Sequence, residues 1–502
     1  MNGLSANIIA SLFSKAWSAV LLLALVPVYI RFLGVEAYGV VGAFVSLQAL
    51  MSLLDLGFGP TLTRELARLS GDPDPGPAMR DLLRSLEVIY WAVAAVLVLG
   101  VVLLAPIISV HWLRPERLSA DEVTRAIAAA GLAFSLQWPT NLYAAGLAGL
   151  QRQVILGWLT VGAGTLRALA TLLALWLIAP TLEVFFLAQA GVNLLQTACI
   201  GAVLWIKLPS AAGRSSFRPA LVRRVLGFAA GMTGISLTTV VLTQLDKAIL
   251  SKTLPLQTFG YYAVASTLAT GLYVVVTPLF TALFPRFSQL TARGDQAGIE
   301  RLYNLSSQLM SVALLPLAAV IALFSPEVLR LWTGNPQIAA NSHLLLSLLI
   351  VGNALNGLMN VPYALQLAHG WTRLAFYSNL VAILVCAPLI YFLSLRLGAI
   401  GGALVWALLT FTYTVTSLPL MHLRLLPGRL RHWYLVDFGC PAIAAFAVAA
   451  LGRILVPEPS AGVATAVLLV SVTAVAGLAA VFAAPDIRAL IVHRIYPART
   501  AG

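Results

Sequence analysis

The sequence predicts an all-α polytopic membrane protein, with about fourteen transmembrane helices in two parallel six-helix lobes plus two C-terminal helices. Three observations predict it. Of 502 residues, 60% are hydrophobic and only 10% are charged, whereas an average soluble domain carries roughly 25% charged residues. Apolar runs recur along the whole chain at about the 20 residues that a helix needs to cross a bilayer core. The connections between those runs alternate between rich and poor in Lys and Arg. No ten-residue stretches alternate with period two, which excludes a β-barrel.

The elements follow in order. Span 1, residues 7–30, holds Lys15 and Pro27. It is too long for a signal h-region and lacks a basic start, so it is expected to stay as a membrane helix. Span 2, 37–60, carries Asp55 and closes on Pro60. Spans 3 and 4, 87–110 and 124–148, flank the loop 111–123. Arg167 lies inside span 5, 154–178, and a turn leads into span 6, 182–206. The stretch KLPSAAGRSSFRPALVRR, 207–224, reads as a cytoplasmic linker. Its Pro, Gly and Ser loosen the chain, and its basic end suits anionic lipid headgroups. Spans 7 and 8, 225–250 and 258–283, come next, with Asp246-Lys247 near the end of the first and Lys252 just beyond. Spans 9 to 12 are 304–324, 342–367, 374–395 and 399–422, and the last two are 434–456 and 461–484.

Eight of the eleven tryptophans sit within a few residues of a span end, where an amphipathic indole prefers to be. Trp17, Trp138 and Trp406 are interior. Connections after even-numbered spans, with the C-terminal tail, hold twenty Lys and Arg; those after odd-numbered spans hold nine. Positive charge is retained in the cytoplasm. Both termini are therefore expected there, in a bacterial plasma (inner) membrane. Most of the net charge of +13 is thereby topological and does not point to nucleic acid.

An internal repeat shapes the architecture. Arg31, Leu33 and Gly39 match Lys252, Leu254 and Gly260 at a shift of 221, and Arg152 matches Arg373 at the same shift. Tyr143-Ala144 matches Tyr363-Ala364 at 220; Pro60 and Asp72 find Pro285 and Asp295 at 225 and 223. Six helices return a chain to its starting side, so the copies are parallel. The expected organisation is a first lobe at 1–206, the linker 207–224, a second lobe at 225–433, and helices 13–14 with the tail at 434–502. Two such lobes suit alternating access around a central cavity.

Enzymatic chemistry finds little support. No phosphate loop, HExxH, GxSxG or metal-ligand spacing is present. Cys199, Cys386 and Cys440 lie apart in apolar runs, and His111 and His343 lack company. Neither metal nor cofactor is expected. A membrane glycosyltransferase or polymerase would need clustered carboxylates or histidines on one face.

What remains are ionisable groups at membrane depth, each costing about 2.5–3.5 kcal/mol at a helix centre unless paired, hydrated or functional. Lys15 and Asp55 lie at similar depths and either pair with each other or face a cavity. Arg167 has the same two readings. In Asp246-Lys247 the neighbours point different ways, so one faces inward while the other snorkels. Arg31 and Lys252, at helix ends, are either snorkelling or cationic cavity groups, and Arg64 lies just past span 2. A cavity with more Lys and Arg than carboxylates favours an anionic substrate. Asp55 and Asp246 are the candidates for ion coupling.

PVYIRFLGVEAYGVVGAF, followed by LLDLGFGPTLTRELARLSGD, resembles the opening of the Wzx-type polysaccharide-biosynthesis flippases of the multidrug/oligosaccharidyl-lipid/polysaccharide exporter superfamily. Asn7, Pro27, Arg31, Leu33-Gly34, Tyr38-Gly39, Asp55-Leu56-Gly57 and Arg64 carry the resemblance across about the first 72 residues. It implies a transporter moving undecaprenyl-diphosphate-linked oligosaccharide from the cytoplasmic to the outer leaflet, whose diphosphate suits a cationic cavity. Membrane lipids and other polysaccharide assembly proteins are the partners it implies. A related lipid-II flippase group holds its lipid tail with helices 13 and 14. A cation-coupled small-molecule or drug exporter of the same superfamily is the alternative, although span 1 offers a lysine where such exporters favour acids.

Overall fold

The computed structural model describes residues 3–495 except 56, 71–74, 211–213 and 457–461, and among them every regular element is helical. The chain divides into two compact units, Met1–Gly260 and Tyr261–Gly502.

The first unit contains α1 (Gly3–Leu33), α2 (Val35–Met51), a 3₁₀ turn (Ser52–Asp55), α3 (Phe58–Leu69), α4 (Gly76–His111), α5 (Ala120–Gly149), α6 (Gln153–Leu177), α7 (Leu182–Lys207) and α8 (Pro219–Thr253). Helix α5 is its hub, packing against α3, α4 and α7, while α6 rests on α1 and α7. The core here is built from Leu62 and Leu66 of α3, Leu83, Leu86 and Tyr90 of α4, Trp138 and Leu142 of α5, and Leu204 of α7. The interior indole of Trp17 finds a partner, donating from Nε1 to Thr165 Oγ1 at 3.0 Å.

Helix α9 (Leu256–Thr270) crosses the division between the units. The second unit continues with α10 (Tyr273–Arg293), α11 (Gln296–Leu323), α12 (Ser325–Thr333), α13 (Pro336–Leu358), α14 (Asn360–Ala368), α15 (Thr372–Leu397), α16 (Ala399–Val415) and α17 (Ser417–Leu425). After them come the short α18 (Leu430–His432), a π-helical segment (Trp433–Gly439), α19 (Cys440–Leu455), α20 (Val463–Ala483) and α21 (Pro485–Ile495). Helix α13 packs on α11, α12 and α16; α19 and α20 pair with each other and with α11.

Among the described residues, ten helical stretches are long and apolar enough to cross a membrane, or eleven if the bent pair α9–α10 is one span. The chain is a multi-pass membrane protein. Three expected spans fall short of that test while still being helical: α2 with 17 residues, α5 and α8. Helix α2 is apolar but short, and for the other two the reason is compositional. Ser135, Gln137, Thr140 and Asn141 fill the middle of α5, and Thr243, Gln244, Asp246 and Lys247 lie in the last third of α8. Helix α2 packs against both of these more polar helices.

Several spans read as continuous are broken. Span 2 becomes α2, a 3₁₀ turn and α3; span 8 bends by 42° between α9 and α10. Helix α4 starts at Gly76, well before the expected 87, and its early turns hold the chain that follows α7. Arg218 Nε pairs with Asp81 Oδ2 at 2.6 Å, Ser216 N–H donates to Asp81 Oδ1 at 2.8 Å, and Arg80 Nε donates to the Pro209 carbonyl at 2.8 Å. The segment read as loose is therefore pinned on either side of 211–213. Pro219, whose missing N–H is an orphan at a helix start in any case, opens α8 within it.

Candidate functional site

The break in span 2 is set by its own sequence. Helix α2 gives way to the 3₁₀ turn, and Gly57 takes φ +78° as the N-cap of α3. That left-handed conformation is costly for any residue with a Cβ. Pro60 falls in the first turn of α3, where a missing N–H costs nothing. Asp55 lies at this junction, half-buried. Its Oδ2 accepts from Gly59 N–H at 3.4 Å, and the positive end of α3 favours a carboxylate there. Its Oδ1 accepts a hydrogen bond from the Tyr90 hydroxyl. The Tyr90 ring is buried against Phe58 and Trp138, with centroids 6.2 and 6.1 Å away.

A cleft of about 290 Å³ opens beside this junction, lined by Val45, Gln48, Phe134, Gln137, Trp138 and Asn141 among others. Gln48 Nε2 donates to Gln137 Oε1 at 3.2 Å, joining α2 to α5. The lining is neutral, made of amides, aromatic rings and small apolar side chains.

Deeper in α6, Arg167 is half-buried. Its Nε donates to Asn193 Oδ1 at 3.0 Å and its Nη2 to Gln196 Oε1 at 2.6 Å. Asn193 is itself held, donating to the Ala133 carbonyl at 2.8 Å. Tyr29 lies close enough to interact electrostatically with the guanidinium. Among the described residues Arg167 has no carboxylate partner, so its positive charge is oriented by amides and left uncompensated.

The other candidates have separate settings. Lys15 is exposed and has no ion-pair partner among the described residues, so Asp55 is held by Tyr90 and not by Lys15. Arg31 and Arg64 are exposed. In α8, Asp246 is buried and Lys247 half-buried, so the acid turns inward. Lys252 places its ammonium 5.3 Å from the centre of the Trp112 ring, a cation–π contact at a helix end.

Sequence reasoning missed several buried carboxylates, Glu36, Asp81, Glu87 and Asp437 among the described residues, and Glu87 has the richest set of partners. Glu87 accepts from Tyr143 Oη at 2.6 Å, from Trp205 Nε1 at 3.3 Å and from Arg84 Nη1 at 2.8 Å. It stands at the edge of an expected span, where a charge attracts no notice. The signal available was the tyrosine and tryptophan on neighbouring spans, which need buried partners.

The fold is that of transporters of the multidrug/oligosaccharidyl-lipid/polysaccharide exporter (MOP) superfamily. The lipid II flippase MurJ, in an inward closed conformation, superposes with a TM-score of 0.73 over 97% of this chain and 98% of that one, at 11% identity. An inward-facing multidrug resistance MATE family transporter of the MOP superfamily gives 0.61 over 84% and 98%, at 13% identity. The profile of the polysaccharide biosynthesis protein family matches residues 4–291, and the chain belongs to that family. The MatE profile matches residues 232–392. A putative O-antigen transporter of Shigella flexneri is 26% identical over 187 residues, 37% of this chain and 44% of that relative. The match thus spans less than half the length of that curated relative.

Proposed function

We propose that the protein is a secondary transporter that flips undecaprenyl-diphosphate-linked oligosaccharide, a polysaccharide or O-antigen repeat unit, from the cytoplasmic to the outer leaflet. The observation that carries this reading is Arg167: a guanidinium inside a membrane protein, aimed by two amides and lacking a counter-carboxylate. An uncompensated interior cation is expensive unless an anion visits it, and a diphosphate is such an anion. The neutral cleft at Gln48, Gln137 and Asn141 supplies the donors and acceptors that sugar hydroxyls need.

Alternating access between two six-helix lobes is the mechanism proposed. The helix starts support the duplication behind it: Val35, Gly76 and Gln153 open helices, and Leu256, Gln296 and Thr372 open others 221, 220 and 219 residues later. Asp55, at the broken span, and Asp246 are the groups proposed to couple an ion to the cycle. Lys15, Arg31, Arg64, Lys247 and Lys252 stand as cationic groups along the path. The location proposed is the bacterial inner membrane with both termini cytoplasmic. Membrane lipids and other polysaccharide assembly proteins are the proposed partners, and no catalytic step is assigned.

The test is mass spectrometry of lipid-linked glycans in a deletion strain, with leaflet sidedness read by a membrane-impermeant label. An intact repeat unit accumulating on the inner leaflet, and again in Arg167→Gln, is expected. Unchanged lipid-linked glycans would overturn the reading. A cation-coupled small-molecule exporter is the second reading, favoured by the MatE match over 232–392. It predicts drug sensitivity on deletion in a pump-deficient host.

A further inference from the structure

The second unit contains a pair of carboxylates, one buried and one half-buried, that the transport reading does not use. Asp437 lies in the π-helical segment and is 1% exposed; Gln308 of α11 is fully buried. Gln308 Nε2 donates to Asp437 Oδ1 at 2.9 Å and to Asp486 Oδ2 at 3.0 Å. Its Oε1 accepts from the Asp486 N–H at 2.9 Å, at the start of α21. Every polar atom of one amide thus ties two aspartates together. Both carboxylates share a single nitrogen, so their accepting oxygens are no farther apart than the sum of those two bonds.

Two anions at that spacing in a protein interior do not both stay ionised unless a cation stands between them. The groups facing the pair supply none fully. From α18, His432 Nε2 is 3.6 Å from Asp437 Oδ1. Arg429, just before α18, is bound to Glu300 at 2.6 Å. On α21 Arg488 turns to the Phe482 carbonyl at 3.4 Å. The phenol of Tyr303 faces the same carboxylate and is engaged with His422 Nε2 at 3.3 Å, while the Tyr434 hydroxyl donates to the Thr414 carbonyl at 2.5 Å. A second observation points the same way. Asp437 Oδ2 is buried with no hydrogen-bond partner, as is Trp433 Nε1 one helical turn earlier. An ionised oxygen left bare is costly, whereas a protonated one carries its own hydrogen.

We infer that Asp437 is a proton-binding site, and that its occupancy controls the docking of α21 on α11 through Gln308. With the proton bound, the carboxyl is neutral and the Gln308 bridge holds both aspartates. When the proton leaves, Asp437 and Asp486 repel across the amide, and α21 is the element free to withdraw. The segment is π-helical, a form often found at functional positions.

The experiment is amide hydrogen exchange of the full chain in nanodiscs, followed over α21 from about pH 5 to about pH 9 after correction for intrinsic exchange. Wild-type α21 is expected to lose protection at alkaline pH by about tenfold or more. Asp437→Asn, neutral at every pH and still able to accept from Gln308, is expected to stay protected throughout. Asp486→Asn removes the opposing charge and is expected to flatten the profile in the same way, so the test survives should the first variant fail to fold. A wild-type profile without pH dependence, or the same dependence in a folded variant, overturns the inference. Neither readout involves the cargo, so its failure and the failure of the flippase reading are distinguishable.

Discussion

Tyr90 and Asp55 make the sharpest residue-level case, because a buried phenol and a half-buried carboxylate hold a broken helix together. Tyr90→Phe removes the hydroxyl donor on Asp55 Oδ1. Hydrogen bonds to charged groups contribute about 1.5–3 kcal/mol, so a lower Tm in detergent or nanodiscs is expected. Asp55→Asn keeps an acceptor for Tyr90 and should cost less; the reverse ranking would show that the carboxylate, not the phenol, is held in place by other contacts. Arg167 is read the same way. Lysine keeps the charge but cannot reach Asn193 and Gln196 as a planar fork does. At this scale the sequence was a partial guide. It singled out Asp55 and Arg167 because charge inside an apolar run stands out. It did not foresee Tyr90, Asn193 or Gln196 as their partners, since contacts across helices leave no trace in linear spacing.

Helix starts carry the clearest element-scale prediction. Ser119 and Glu122 form a capping box at the head of α5, just outside the expected span: Ser119 N–H donates to Glu122 Oε2 at 2.9 Å, and Glu122 N–H to Ser119 Oγ at 3.2 Å. The Ser119 backbone amide, then its hydroxyl, hold the Glu122 carboxyl below the ordinary value of 4.5. A lowered carboxyl stabilises the folded end above the ordinary value, and that contribution is lost as pH falls through the lowered one. Protection of the first turn of α5 should therefore drop on acidification below 4.5. Ser119→Ala, which keeps the backbone donor but removes the hydroxyl, should shrink the drop while costing about 1 kcal/mol. Spans were legible because apolar length is a local property. Breaks were not: Gly57 looks like any glycine in a membrane segment until its φ is known. Polar α5 and α8 were legible as spans only because their flanks are apolar.

For the whole molecule, the basic connections predict orientation, and single cysteines read it directly. Positions in 214–218 and 426–429 should react with an impermeant thiol reagent only from the cytoplasmic side, and 114–118 and 334–335 only from outside. Labelling from the opposite sides would invert the topology and the direction of transport with it. The proposed six-plus-six duplication rests in the sequence on a handful of matched residues. The matched helix starts extend it, because a repeated fold keeps its element lengths after its side chains have diverged.

One of those matched pairs is in contact. A Cβ on Gly39 would lie 2.6 Å from the Leu256 carbonyl oxygen and 3.2 Å from Gly260 N, and a Cβ on Gly260 would collide with the Val35 carbonyl. The obstacle on each side is main chain, which no substitution elsewhere can trim. Under the proposed duplication, two matched positions are thus both kept bare, each by main chain that opens the helix carrying the other. Neither can be released by changing a side chain.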